Sequence, residues 1–245
     1  SSMLIAVHTG ISYTQASFRD WSLRYNLKDG VRIFFLNDIE MNLFIYGAGG
    51  HAKVVATSAF ETNSYEKIYF LDSAKKDFKF SEKSAIFSLN PVDVLLTSSI
   101  DAQSIIAIGD NHIRMKIALE SINDNFISIQ SPNSYLSQFS KISEGVFISA
   151  GAMINADSFI GPHAIINTGS VIEHDCKIGS FSHVGPNAAL GGNVELGSNV
   201  FIGGGAFVNP NLSICNDVTV GSGSVVINDI SEPGIYAGVP ANKIK

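Results

Sequence analysis

Every sixth residue from position 142 to position 226 is isoleucine, valine or leucine, without an exception in fifteen positions. A period of six fits neither the 3.6-residue repeat of a helix nor the two-residue repeat of a strand. It fits a chain that turns a corner every six residues, because three such corners close a coil of about eighteen residues. The fifteen hexads therefore predict about five stacked coils, in which each coil buries its apolar face against the next.

A second series, of small or aliphatic residues, runs four places after the apolar positions. Glycine or asparagine often follows the apolar position directly, as at Gly161, Gly185 and Asn167. Because glycine and asparagine tolerate a positive φ, we expect these residues to form the tight corners of the coil. The two series together predict an all-β solenoid of parallel strands.

The composition indicates a folded protein and disfavours two classes of partner. Apolar residues make up 45% of the 245 residues and charged residues 16%, which is sufficient for a packed core. The net charge of −6 disfavours binding to a nucleic-acid backbone, which requires clustered lysine and arginine. No apolar run reaches the roughly 18 residues of a membrane span, so we expect none. Cys176 and Cys215 form no disulfide framework, and we expect a cytoplasmic protein.

The part of the chain before the repeat, residues 41–138, alternates apolar strands with helices, which predicts a Rossmann-like α/β domain with a parallel sheet. The predicted elements are strands at 43–46, 67–71, 104–109 and 126–129 and helices at 52–60 and 111–122, while residues 92–96 fit either type. Residues 1–40 form an N-terminal extension whose status the sequence leaves open.

A glycine-rich turn, Gly47-Ala48-Gly49-Gly50-His51, follows the first strand of this domain. Glycine between a strand and a helix lets the backbone approach a ligand, and the helix N-terminus attracts phosphate. Asp72 follows the second strand, where a ribose-binding carboxylate would lie. On these residues alone, a dinucleotide site and a tight turn without a ligand both remain open.

The hexad series and the segment at 234–241 (GIYAGVPA) resemble the hexapeptide-repeat acyltransferases, whose fold is a left-handed parallel β-helix. With the strand-GAGGH-helix segment included, residues 41–245 resemble the sugar acyltransferases typified by sialic acid O-acetyltransferases and UDP-4-amino-sugar N-acetyltransferases. The resemblance implies a nucleotide-sugar-binding domain at 41–138, a β-helix acyltransferase domain at 139–232 and a C-terminal tail at 233–245. It also implies the residues that bind the nucleotide sugar: Gly49, Gly50, His51 and Asp72.

The richest polar stretch of the repeat is residues 166–176. Acyl transfer requires a general base that titrates near neutral pH and a hydrogen-bond donor at the thioester oxygen. By resemblance, His174 is this base, Asp175 orients or charges it, and Asn167 orients the substrate or the base. The resemblance further implies four contacts with the co-substrate acetyl-CoA: His183, Gly192, Gly204 and Ser222. No metal is expected.

The sequence leaves three functions open. The leading one is acetyl-CoA-dependent N-acetylation of a UDP-linked 4-amino-4,6-dideoxy sugar in bacterial glycan biosynthesis, by direct attack of the amine on the thioester. The second is O-acetylation of sialic acid or another nonulosonic acid, and the third is a non-catalytic solenoid that binds a nucleotide sugar. Direct transfer requires no acyl-cysteine, so Cys176 is expected to be a small apolar filler.

Two further expectations concern assembly and exposure. The stacked three-cornered coils form a prism, and one flat face of a prism can contact an acyl donor on one side only. The related transferases pair adjacent prisms around a three-fold axis. We therefore expect a homotrimer with its active sites between subunits. His163 lies in a Gly-Pro-His turn, and we expect it at the surface.

Overall fold

The structure of the chain is a computed structural model that describes residues 3–6, 13–16, 42–62, 65, 67–72, 80, 84–87, 103–122 and 124–245. Its contacts define two units, Ser1–Glu40 and Met41–Lys245. In the first unit, strands β1 (Met3–Ala6) and β2 (Tyr13–Ala16) pair antiparallel. Most of the N-terminal extension and all of residues 92–96 lie outside the described residues, so what the sequence says of them stays a prediction.

A parallel sheet with two helices begins the second unit, and we call it the front domain. Its elements are β3 (Asn42–Tyr46), α1 (Gly50–Glu61), β4 (Lys67–Leu71), β5 (Ser84–Phe87), β6 (Gln103–Ile106), α2 (Asn111–Glu120) and β7 (Asn125–Phe126). The strand order is β5-β4-β3-β6-β7, which confirms the predicted α/β class. Because β4 and β6 flank β3, the topological switch point lies at the carboxyl ends of β3 and β6.

Short strands from Ile129 onward build a parallel β-solenoid, as the repeat predicted, and it has about seven turns. Face 1 contains β8 (Ile129–Gln130), β11 (Phe147–Ile148), β14 (Ile165–Ile166), β17 (His183–Val184), β20 (Phe201–Ile202), β23 (Val218–Val220), β25 (Gly234–Ala237) and the antiparallel β26 (Asn242–Lys243). Face 2 contains β9 (Tyr135–Leu136), β12 (Met153–Ile154), β15 (Val171–Ile172), β18 (Ala189–Leu190), β21 (Phe207–Val208) and β24 (Val225–Val226). Face 3 contains β10 (Lys141–Ile142), β13 (Phe159–Ile160), β16 (Lys177–Ile178), β19 (Glu195–Leu196) and β22 (Ser213–Ile214).

The chain visits the three faces in turn, so that neighbouring strands of one face are one coil apart. Ile166, for example, pairs with Val184, eighteen residues later. The predicted five coils are too few, because β8 and β9 already belong to faces 1 and 2. Leu136 continues the apolar series backwards, but Gln130 interrupts it. The strand predicted at 126–129 is likewise divided, because β7 ends on the front sheet and β8 begins on face 1.

The corners of the coil use positive φ at the third residue after each apolar position, from Gly145 to Gly223. The expectation that the residue directly after the apolar position supplies the positive φ is therefore wrong. The positions directly after the apolar residues require glycine for another reason, which Gly185 illustrates. A methyl group on Gly185 would lie 2.7 Å from the carbonyl oxygen of Ile202 on the next coil, so close stacking of the coils excludes a side chain.

The front domain and the solenoid share one apolar cluster, in addition to the core inside the solenoid. Helix α1 covers the first strands of face 1, and the buried residues that meet there are Ala52, Val55, Ala56, Ala59, Ile129, Phe147 and Ile165. This contact places the switch point of the front sheet against face 1. Among the residues that the structure describes, neither helix has the length and apolar content of a bilayer span.

Candidate active site

His174 lies at the corner between faces 2 and 3, which we call the second corner. Its Nδ1–H donates to Asp175 Oδ2 at 2.7 Å, and the two side chains are 63% and 57% exposed. Asp175 occupies the positive-φ position of this corner, a conformation that aspartate tolerates. The hydrogen bond leaves Nε2 of His174 as the open nitrogen that can accept a proton, as a general base requires.

Gly192 lies beside His174 on the next coil of the second corner. A methyl group on Gly192 would lie 2.6 Å from Cε1 and 2.7 Å from Nε2 of His174, so the ring occupies the space that the glycine leaves. The Gly192 N–H donates no hydrogen bond to any residue that the structure describes. An open backbone N–H next to a candidate base suits the stabilisation of a developing oxyanion.

Toward the earlier coils, a groove runs along the second corner from His174. Its walls include Tyr135, Phe139, Asn155 and Glu173, and the two aromatic side chains are exposed. Asn155 Nδ2 donates to Glu173 Oε2 at 2.9 Å, which holds the carboxylate at the edge of the groove. The groove therefore offers aromatic and polar surface to a small ligand next to the candidate base.

His183 lies near the corner between faces 1 and 2, which we call the first corner. Its Nδ1 lies 3.2 Å from the carbonyl oxygen of Gly109 in the front domain, and its Nε2 lies 3.0 Å from Asn167 Nδ2. The ring of Phe201 packs edge-on at a centroid distance of 5.1 Å. Within one chain, Asn167 therefore orients His183 and not His174. The contact between His183 and acetyl-CoA stays a prediction.

The glycine-rich turn lies at the switch point of the front sheet, where Gly49 precedes the first residue of α1, Gly50. A methyl group on Gly49 or Gly50 would meet no atom of the described residues within 4 Å, so these residues leave the turn open on this side. The exposed N–H groups of the helix N-terminus suit an anion. His51 lies in the first turn of α1, with its ring 5.4 Å from Phe147 and 6.3 Å from His183. The predicted substrate loop and His183 therefore lie together.

Asp72 braces the glycine-rich turn from the neighbouring strand. Its Oδ2 accepts a hydrogen bond from the Ala48 N–H at 2.8 Å. The carboxylate thus helps to hold the loop in shape at the carboxyl end of β4. The predicted contact of Asp72 with the nucleotide sugar stays a prediction.

Two buried histidines, His163 and His183, and the half-buried His51 lie where the front domain meets the solenoid. Burial, and secondarily the charge of Arg114, lowers the pKa of His51, His163 and His183 to about 4 each, so all three are neutral at pH 7. The prediction that His163 is at the surface is wrong, because only 5% of it is exposed. Its ring stacks on Phe181 at 5.1 Å and meets Phe126 of the front domain edge-on at 4.8 Å, so it is part of the contact between front domain and solenoid.

The residues expected to contact acetyl-CoA fall into two groups within one chain. Gly204 and Ser222 lie at the first corner, on later coils than Asn167, whereas Gly192 shares the second corner with His174. The two corners flank face 2, and Asn167 and His174 lie on opposite sides of β15. A single chain therefore does not bring all the predicted site residues together.

Arg114 is the residue at this junction that the sequence analysis missed. It is fully buried on α2, whereas its neighbour Ile113 is 50% exposed. Hydropathy predicts an exposed Arg114 and a buried Ile113, so the apolar pattern of α2 gave no indication that Arg114 is buried. Cys176 is fully buried, as expected of an apolar filler, and burial raises the pKa of its thiol. No cluster of metal-ligating side chains occurs in the described parts of the chain.

Two family profiles match the chain. The profile described as PglD N-terminal domain matches residues 42–120. The profile described as bacterial transferase hexapeptide (six repeats) matches residues 157–192 and 175–210. No curated protein matches the sequence significantly.

Solved structures match over most of the chain. The acetyltransferase domain of PglB from Neisseria gonorrhoeae FA1090, in complex with acetyl coenzyme A, is 29% identical with a TM-score of 0.78, covering 83% of this chain and 98% of that one. PerB from Caulobacter crescentus, in complex with CoA and GDP-perosamine, is 35% identical with a TM-score of 0.75, covering 83% and 97%. WeeI from Acinetobacter baumannii AYE shares the fold at 24% identity, a TM-score of 0.76, and 83% and 100% coverage. The chain therefore belongs to the family of hexapeptide-repeat sugar acetyltransferases with a PglD-type N-terminal domain, and it is an acyltransferase.

Proposed function

We propose that the protein transfers the acetyl group of acetyl-CoA to the amine of a nucleotide-linked 4-amino-4,6-dideoxy sugar, with UDP as the expected nucleotide, in bacterial glycan biosynthesis. The observation that carries the proposal is the exposed His174–Asp175 pair beside the open N–H of Gly192. The amine attacks the thioester carbon, and His174 Nε2 accepts the amine proton. The tetrahedral oxyanion then collapses, the C–S bond breaks, and CoA leaves as a thiol after taking up a proton.

The donor is supported by the related structures and by the second corner. The PglB domain was solved with acetyl coenzyme A and PerB with CoA. The backbone N–H of Gly192 would stabilise the thioester oxygen as it becomes negative. Gly204 and Ser222 would line the pantetheine on the first corner of the facing prism.

The acceptor is supported by the glycine-rich turn at the switch point of the front sheet. Ligands of such sheets bind at the carboxyl ends of the strands, and the N-terminus of α1 there suits a diphosphate. PerB, whose structure contains GDP-perosamine, shares this domain arrangement over 97% of its length. Gly49, Gly50, His51 and Asp72 are the residues that we propose to contact the nucleotide sugar.

A panel of acceptors tests this function against O-acetylation of sialic acid. Thiol release from acetyl-CoA would be measured with UDP- and GDP-linked 4-amino sugars, with their 4-hydroxy counterparts and with free sialic acid. We expect turnover with a nucleotide-linked amine, because that acceptor combines a diphosphate for α1 with an amine, which is a stronger nucleophile than the hydroxyl of its 4-hydroxy counterpart. Turnover with free sialic acid alone would contradict the proposal and support the O-acetyltransferase.

The outward side of face 2 supports a homotrimer. Its outward positions are all apolar: Tyr135, Met153, Val171, Ala189, Phe207 and Val225. Face 3 presents mostly polar and charged side chains at the same positions, such as Lys141, Lys177 and Glu195. Because face 2 lies between the two corners, pairing two prisms along it would bring the second corner of one chain to the first corner of another.

Met153→Glu is expected to convert the trimer to a monomer and to abolish most of the turnover. Met153 is exposed in the apolar column on face 2, and a carboxylate buried there in an interface would lack a partner. The change is measured by light scattering after size exclusion and by thiol release. The control is Lys177→Glu on face 3, which should leave both unchanged. A trimeric, active Met153→Glu protein would show that face 2 is not the interface.

A further inference from the structure

Arg114 is a fully buried cation whose hydrogen bonds go to no carboxylate. Its side chain donates from Nε to His163 O (2.8 Å), from Nη1 to Ile108 O (2.8 Å) and Gly109 O (3.3 Å), and from Nη2 to Asn111 Oδ1 (2.8 Å) and Phe181 O (2.6 Å). An apolar side chain would fill this volume without the cost of burying a charge. The presence of a guanidinium therefore indicates that its fixed set of donors has a role.

The acceptors of Arg114 come from two separate parts of the fold. Ile108 and Gly109 belong to the loop after β6, at the switch point of the front sheet, whereas His163 and Phe181 are corner residues of the solenoid. A planar guanidinium holds its donors at fixed angles to one another. Arg114 consequently fixes the position of the Gly109 carbonyl relative to the coil that carries His183.

A directed series of hydrogen bonds leads from that carbonyl to Asn167. The Thr168 N–H donates to Asn167 Oδ1 at 2.8 Å, so the NH₂ of Asn167 is the group that faces His183. His183 Nε2 must then accept a hydrogen bond, and the ring proton must lie on Nδ1. The other ring nitrogen agrees with this assignment. Nδ1 lies 3.2 Å from the Gly109 carbonyl oxygen, which can only accept a hydrogen bond, so Nδ1 must be the donor.

We propose that Arg114 is a positioning residue for His183, which it holds through the Gly109 carbonyl as the neutral Nδ1–H tautomer with the Nε2 lone pair directed at Asn167. A second proton on Nε2 would face the NH₂ group of Asn167, which has no lone pair to accept it. Burial and the charge of Arg114 act in the same direction and lower the pKa of His183. His183 therefore does not accept the proton of the acceptor amine, and that role is left to His174.

Arg114→Lys tests the proposal, because lysine keeps the charge but cannot span the front-domain and solenoid acceptors. Histidine-selective ¹⁵N labelling reports the tautomer, with His183 assigned by the loss of its signal in His183→Gln. We expect Arg114→Lys to lose the single Nδ1–H tautomer. We also expect kcat/KM for acetyl-CoA to fall on the order of tenfold, as when a buried hydrogen-bonding group is left unpaired. The kinetic expectation rests on the proposed function, whereas the tautomer does not.

The matched control is Ile117→Ala on the same helix, which removes apolar packing but no hydrogen bond to Gly109. It should lower the melting temperature and leave the His183 tautomer and the kcat/KM unchanged. A wild-type tautomer in folded Arg114→Lys would overturn the proposal, as would an equal change in Ile117→Ala. A changed tautomer with unchanged turnover would overturn the positioning role while leaving the function proposed above intact.

Asn167→Asp provides a second test that keeps Arg114. The substitution is nearly isosteric and places a carboxylate opposite His183 Nε2. Because both ring nitrogens would then face acceptors, we expect His183 to carry both protons at pH 7. A neutral His183 in this variant would show that the hydrogen bonds from Gly109 to Asn167 do not set the state of the ring, and would overturn the proposal.

Discussion

Replacement of His174 by alanine is expected to lower kcat by about 10²–10⁴-fold, the usual range for a positioned general base. In the proposed reaction, the acceptor amine loses a proton as its bond to the thioester carbon forms. The His174 side chain is 63% exposed, and its Nε2 is open to that proton because the hydrogen bond to Asp175 occupies Nδ1. The KM for acetyl-CoA should change far less, because we propose that backbone groups on later coils hold the donor.

The pH dependence separates loss of the base from a structural effect. The rate of His174→Ala should rise with pH more steeply than that of the wild type, because a growing fraction of the acceptor amine is already neutral. His112→Ala is the matched control, since His112 is also exposed but lies away from the second corner. Near-full turnover of His174→Ala at pH 7 would show that solvent or another group takes the proton.

The solenoid could be predicted from the sequence because each inward position along it repeats the same environment. Ile148 and Ile166 pair across one coil, as do Ile166 and Val184, and the repeat follows directly from that register. The first coil escaped the pattern because Gln130 stands where the series requires an aliphatic residue. The glycines beside the apolar positions were recognised, but their cause is the stacking of coils and not positive φ.

The second corner was predictable for the same reason, whereas the junction with the front domain was not. His174 and Asp175 are adjacent in sequence, and Gly192 follows His174 by one coil, so periodicity alone places them together. Arg114 reaches backbone carbonyls that are far away in the sequence, and such acceptors leave no residue signature. His163 was expected at the surface because its burial depends on Phe126, which the front domain supplies.

Two variants that are inactive alone are expected to recover turnover when they assemble into mixed trimers. His174→Ala removes the base at the second corner. Gly50→Glu adds a carboxylate at the N-terminus of α1, where it opposes a diphosphate, and a Cβ at this position meets no atom of the described residues within 4 Å. Suppose that one chain supplies the glycine-rich turn of a site and a neighbouring chain supplies His174. A site is then intact wherever a His174→Ala chain contributes the turn and a Gly50→Glu chain contributes His174.

Co-expression with two affinity tags would provide mixed trimers of known composition. Random assembly at equal amounts predicts roughly a quarter of wild-type turnover, because three of every four trimers are mixed and each of these holds one intact site of three. Trimers of His174→Ala with the double variant His174→Ala/Gly50→Glu are the control, and they should stay inactive because no chain carries the base. If the loop and the base acted within one chain, no mixture would contain an intact site. Inactive mixed trimers of verified composition would therefore contradict a site shared between chains, whereas recovery would assign His174 and the glycine-rich turn of one site to different subunits.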